Sequence, residues 1–160
     1  MLEWTVYREL NQSRIKCQPI KDFSKRLRPL NPRYADEIQE MLAVSSQSAF
    51  DKTWINHYIQ LPGTTPIEVD VLAEGADASS CWAFVFEMKN RDEKNLPKMK
   101  EAQLFVANVS RVKQWLTQQT GKPVKFICPV YLSAEGFSAS VEEWLHEQGV
   151  LTTDWAHWER

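Results

Sequence analysis

The 160-residue chain is 43% hydrophobic and 25% charged with a formal net charge of -2, which suits a soluble globular protein able to bury a core without disulfides or structural metal. No apolar run approaches the roughly 18 residues of a membrane span, and MLEWTVYREL lacks the basic-then-apolar pattern of a secretory signal, so no membrane partner is expected. Cys17, Cys81 and Cys128 are widely spaced with no CxxC pair, which argues against a disulfide framework or zinc knuckle and for a reducing, cytoplasmic setting.

Residues 1–33 hold eight basic side chains (Arg8, Arg14, Lys16, Lys21, Lys25, Arg26, Arg28, Arg33) against three acids (Glu3, Glu9, Asp22), a local balance of +5. Such a stretch fits phosphate neutralisation or a solvated face. It is too polar to form core, although Ile15, Ile20, Phe23 and Leu27 offer anchors. Asn31-Pro32 opens a helix over about 33–44, with Ile38, Met41 and Leu42 inward. Ser48 starts a second helix, in which Phe50, Trp54 and Tyr58 recur at spacing four and Asp51 closes a capping box. IEVDVLAE (Ile67 to Glu74) and CWAFVFEMKN (Cys81 to Asn90) read as strands joined by a turn at 75–80. Leu96 to Thr120 has helical periodicity and ends at Gly121. KFICPVYL (Lys125 to Leu132) is a strand that Pro129 makes less regular, Ser138 to Glu147 a helix closed by Gly149, and Val150 to Trp155 a last strand. The expected organisation is a basic extension and helix over 1–47 and one folded domain over 48–160.

The chemistry concentrates on the two central strands. Strand side chains alternate with period two, so Glu68 and Asp70 share a face, as do Glu87 and Lys89. A hairpin would set Asp70 beside Glu87. An acid and an ammonium ending an apolar strand are costly unless paired or bound to metal. Two carboxylates suit Mg2+ or Mn2+, which polarise a phosphate and acidify a bound water, and a neighbouring lysine can orient that water and offset charge. A second basic cluster (Lys89, Arg91, Lys94, Lys98, Lys100) surrounds this region.

IEVDVLAE followed by CWAFVFEMKN resembles the PD-(D/E)xK nuclease superfamily, in particular its Mrr-type and Holliday-junction-resolvase-like members, with similarity extending from Ser48 to Trp155. The resemblance implies an α/β, restriction-endonuclease-like fold: a central mixed four-stranded sheet flanked by helices, here with an extra N-terminal helical segment. It implies a Mg2+- or Mn2+-dependent deoxyribonuclease, with Asp70, Glu87 and the Met88 carbonyl as metal ligands and Lys89 as the water-activating residue. Glu68 would be a further acid or a solvent-exposed strand residue, Asp51 a helix-borne site acid or only a cap, and Gln103 a site glutamine or an ordinary helix residue. DNA phosphates would meet Lys25, Arg26, Arg28, Arg91 and Lys94. Members of this kind act as homodimers or as effectors tethered to an ATPase or sensor protein in defence or repair. The alternative is a catalytically inactive nucleic-acid-binding or protein-interaction module of the same fold. Trp155 and Trp158 are candidates for stacking on bases or, more blandly, packing residues.

Overall fold

The computed structural model describes residues 2–20, 22–30, 32–34, 38, 39, 41, 43 and 49–159. Its elements are helix α1 (Leu2–Lys16), a 3-10 turn (Phe23–Arg26), strands β1 (Lys52–Ile59), β2 (Ile67–Ala76) and β3 (Cys81–Lys89), helix α2 (Met99–Thr120), strand β4 (Val124–Ser133), helix α3 (Ala139–Glu147), strand β5 (Leu151–Thr153) and helix α4 (Trp155–Trp158). The described residues between Pro32 and Ala43 are helical, with Ile38 fully buried; Leu42, Val44 and Ser48, named above, lie outside the described residues.

The strands form one five-stranded mixed sheet in the order β1-β2-β3-β4-β5. β1, β2 and β3 pair antiparallel, and β3, β4 and β5 pair parallel through the helical crossovers α2 and α3. The sheet therefore has one strand more than expected, because 52–59 is a strand and not the second helix. The spacing that suggested a helix is ambiguous: Trp54 and Tyr58, four apart, also satisfy period two. Exposure alternates along β1, Thr53, Ile55 and Ile59 favour extended backbone, and β2 offers a full ladder. Asp51 is accordingly no helix cap; its backbone N–H donates to the Glu74 carbonyl at 2.7 Å.

β3 is central and covered on both faces, which accounts for its apolar run. On one face Val71, Phe84, Phe86, Met88 and Val130 pack with Leu2, Val6 and Leu10 of α1, with Ile20, Phe23 and Leu27, and with Trp158 of α4. The basic segment thus contributes core, contrary to its composition, while Ile15 stays 64% exposed. On the other face Val69, Leu72, Ala83, Val85 and Tyr131 pack with Ala102, Phe105, Val112 and Leu116 of α2 and with Val141 and Leu145 of α3. β5 is shorter than expected because Asp154 leaves the strand and caps α4, its Oδ1 accepting from the His157 N–H at 2.8 Å. Pro129 precedes the stretch of β4 that β5 pairs, so that ladder loses no bond to it. No helix among the described residues is long and apolar enough to cross a membrane.

Candidate functional site

The β2–β3 ladder ends at Val71↔Phe86. Beyond it the strands part, and Asp70 fills the gap: its Oδ2 accepts from the Met88 backbone N–H at 2.8 Å, replacing the lost ladder bond. The alternation along β2 also breaks here, since Val69 and Leu72 both join the core on the α2 side. On β1, Asn56 stands opposite Asp70 in left-handed backbone with φ 48°, and the regular pairing skips it.

Glu87 and Lys89 project from β3 toward α2, as period two requires. The carboxyls of Asp70 and Glu87 are hydrogen-bonded to one another, and Lys89 Nζ lies 3.4 Å from Glu87 Oε1. The Glu87 and Lys89 side chains are only 23% and 24% exposed. Burial and then the Asp70 charge push Glu87 up to about 8, and burial raises Asp70 as well, so the two carboxyls titrate as a pair that resists losing its last proton.

Three further groups complete the surroundings, and none was singled out from the sequence. Glu3, in the first turn of α1, is close enough for its charge to raise Asp70 further. Glu101, in the first turn of α2, lies 3.6 Å from Lys89 and takes a bidentate pair from Arg91 at 2.7 and 2.5 Å, which holds its carboxyl down at about 2. Tyr131 of β4 stands beside Glu87 in the parallel register, fully buried, with no hydrogen-bond partner for its hydroxyl among the described residues. Each comes from an element whose placement against β3 is a tertiary fact; an acid in a first helical turn is otherwise an ordinary dipole partner.

The structure gathers Asp70, Glu87, Met88 and Lys89 but not the other candidates. Glu68 is exposed and bonded to the Tyr58 hydroxyl across the β1–β2 pair. Asp51 lies by Glu74, four residues along β2 from Asp70, or roughly 13 Å at strand rise. Gln103 is exposed on α2, two positions past the inward-facing Glu101. Arg26 pairs with Glu9 and stacks on Trp158, and Arg28 binds Glu142 at 2.6 and 3.0 Å and Asp154 at 2.7 Å. Lys25 and Lys94 are exposed. Trp158 is fully buried against Phe23 and Phe86, a packing residue.

Among the described residues, no group of three or more His, Cys, Asp or Glu side chains forms a metal site by itself. The donor chemistry of the carboxyl pair nevertheless fits a hard divalent cation, which takes oxygen ligands and completes its sphere with backbone, water and substrate oxygens. Two carboxyls in contact repel unless a proton or a cation stands between them.

No family model matches this sequence, and no curated protein matches it. Among solved structures, similarity is found to one described as "Crystal Structure of Protein of Unknown Function AF1548", at 18% identity and a TM-score of 0.48, covering 78% of this chain and 58% of that one. The chain thus spans somewhat over half the length of that protein.

Proposed function

We propose that this chain is a restriction-endonuclease-like nuclease of the PD-(D/E)xK type, hydrolysing phosphodiester bonds of DNA with Mg2+ or Mn2+. The observation that carries the reading is the contact between the part-buried carboxyls of Asp70 and Glu87 where β2 and β3 separate, with Lys89 beside them. Asp70, Glu87 and the Met88 carbonyl would hold the cation, which when bound supplies polarisation of the phosphate and acidification of a water. Lys89 places a positive charge where negative charge develops on the phosphorus oxygens and orients the attacking water. Glu101, fixed by Arg91, holds the Lys89 ammonium between two acids.

A catalytically inactive module is favoured by one observation, the closure of Lys89 and Arg91 on Glu101 as an internal ion-pair network. Incubation of the protein with supercoiled plasmid, linear duplex, single-stranded DNA and RNA in Mg2+, Mn2+ or EDTA separates the two. The nuclease reading expects cleavage in metal, none in EDTA, and loss of at least about 100-fold in Asp70→Asn and Lys89→Ala with folding retained. Turnover unchanged in those variants, or no cleavage together with no Mg2+-dependent rise in melting temperature, leaves the module.

A further inference from the structure

We infer that the Trp54–His57 face of β1 is a stacking site for an unpaired nucleobase, so that the strand cleaved at Asp70 and Glu87 is single-stranded or locally opened; the inference rests on the nuclease reading and names its substrate class.

Trp54 is 37% exposed, yet its ring is fixed. The indole N–H donates at 2.6 Å to Glu74, a carboxylate only 6% exposed, and the His57 ring stacks on it at 4.4 Å and 21°. His57 in turn meets Trp115 of α2 edge-on at 5.6 Å, and burial lowers its pKa, so the imidazole over the indole is neutral. An exposed aromatic whose orientation is set by a buried carboxylate and a stacked neighbour has lost its rotamer freedom before any ligand arrives. A further planar ring extends such a stack.

The position ties this surface to the carboxyl pair. Trp54 stands opposite Leu72 and His57 opposite Val69, with Asp70 between them on the partner strand. Asp70 is therefore a diagonal neighbour of Trp54, a relation that spans roughly 7–8 Å on a regular ladder, so both can meet neighbouring parts of one strand. Val69 also lines, with Glu87, Asn108 and Val112, the narrow cleft between the sheet and α2. Lys52 at the start of β1, and Arg111 bonded to Thr64 at 3.0 Å beyond its end, place positive charge for a backbone on either side.

The same observations choose the occupant. β1 is an edge strand, where exposed aromatics commonly dock a peptide strand, but the left-handed Asn56 interrupts its row of donors and acceptors and a regular added ladder fails there. A stacked duplex shows base edges and keeps its faces covered, so a face-stacking ring takes a base that is unpaired.

Fluorescence anisotropy in EDTA, with a labelled ten-nucleotide oligothymidylate and a duplex of equal length, tests this on the full chain. Trp54→Ala should weaken single-strand binding by roughly 5- to 100-fold while duplex binding moves less than about twofold, and Trp54→Phe should retain most of the single-strand affinity although loss of the bond to Glu74 lowers its melting temperature. Tryptophan quenching by the oligonucleotide should be lost in Trp54→Phe. Equal single-strand affinity in Trp54→Ala, or equal losses on both probes, overturns the inference. Selective loss of single-strand binding alongside unaltered cleavage in Asp70→Asn sustains the stacking site and removes the assigned carboxyl pair; binding of neither probe by the parent protein overturns both.

Discussion

Tyr131 carries a hydroxyl that is buried without a partner among the described residues, between the rings of Phe105 and Phe137 and beside Glu87. Burial first, then the Glu87 charge, raises its pKa, so it stays a neutral phenol. An unsatisfied buried polar group costs about 1–3 kcal/mol, and Tyr131→Phe removes it with no change of shape. In EDTA that variant should melt at the parent temperature or above it, measured by circular dichroism. A drop would show that the hydroxyl has a partner in the folded protein. At this scale Asp70, Glu87 and Lys89 were legible because their convergence needs only period two and a hairpin, both written in the local sequence. Glu3 and Glu101 were not: their carboxyls reach the site through helix packing, which leaves no mark in the spacing of the residues themselves.

At the scale of elements, β2, β3, α2, β4 and α3 follow from periodicity and from punctuation by Gly121 and Ser138, whereas β1 does not. Its wide aromatic spacing fits two periods, and only the ladder to β2 decides between them. The basic segment misled for a related reason, since Ile20, Phe23 and Leu27 reach the core while Asp22 and Lys25 face out and Arg26 pairs with Glu9. The β2–β3 hairpin makes a sharp demand at Gly75, which stands opposite Trp82. A Cβ there would lie 2.5 Å from Trp82 Cε2 and 2.8 Å from Cζ2, and the indole is a rigid ring, 6% exposed and stacked on Phe126. Gly75→Ala should therefore cost about 1–3 kcal/mol in urea unfolding, as overpacking does. A neutral result would mean that Trp82 has a second rotamer open to it.

For the whole molecule, Arg28 joins the amino-terminal segment to α3 and to the start of α4. Burial alone would raise Glu142 and Asp154, but the hydrogen bonds of Arg28, Thr152 and His157 outweigh it and hold both below their ordinary values of 4.5 and 3.8. Their contribution is complete above about pH 4.5 and is lost as pH falls through the depressed values. His146, lowered from 6.5 by burial, adds to the acid limb, because the unfolded chain takes up its proton first. Glu87, raised to about 8, acts in the opposite sense between about pH 8 and 4.5, so stability by urea titration should decline clearly only below about pH 4.5, and Arg28→Met should flatten that limb; an acid limb of equal slope in that variant would remove the cluster as its cause. On the proposed nuclease reading, electrostatic attraction to a nucleic acid would then fall to exposed cations. If Lys25 and Lys94 contact phosphates, the double change to glutamate should reduce the log–log salt slope of binding by about two units, and an unaltered slope would place both outside the footprint. The meeting of Phe23 with Trp158, and of the Arg28 N–H with the Thr152 carbonyl at 2.8 Å, also sets a clock on the newborn chain. At roughly 5–20 residues per second, the turn after α1 waits roughly 6–25 s on the ribosome before β5 and α4 exist to cover it, whereas α1 meets β1 and β2 much earlier. During that interval the side of Phe23 that meets Trp158 stays uncovered, an apolar surface open to a holding chaperone, so yield in a cell should track chaperone supply more closely than equilibrium stability.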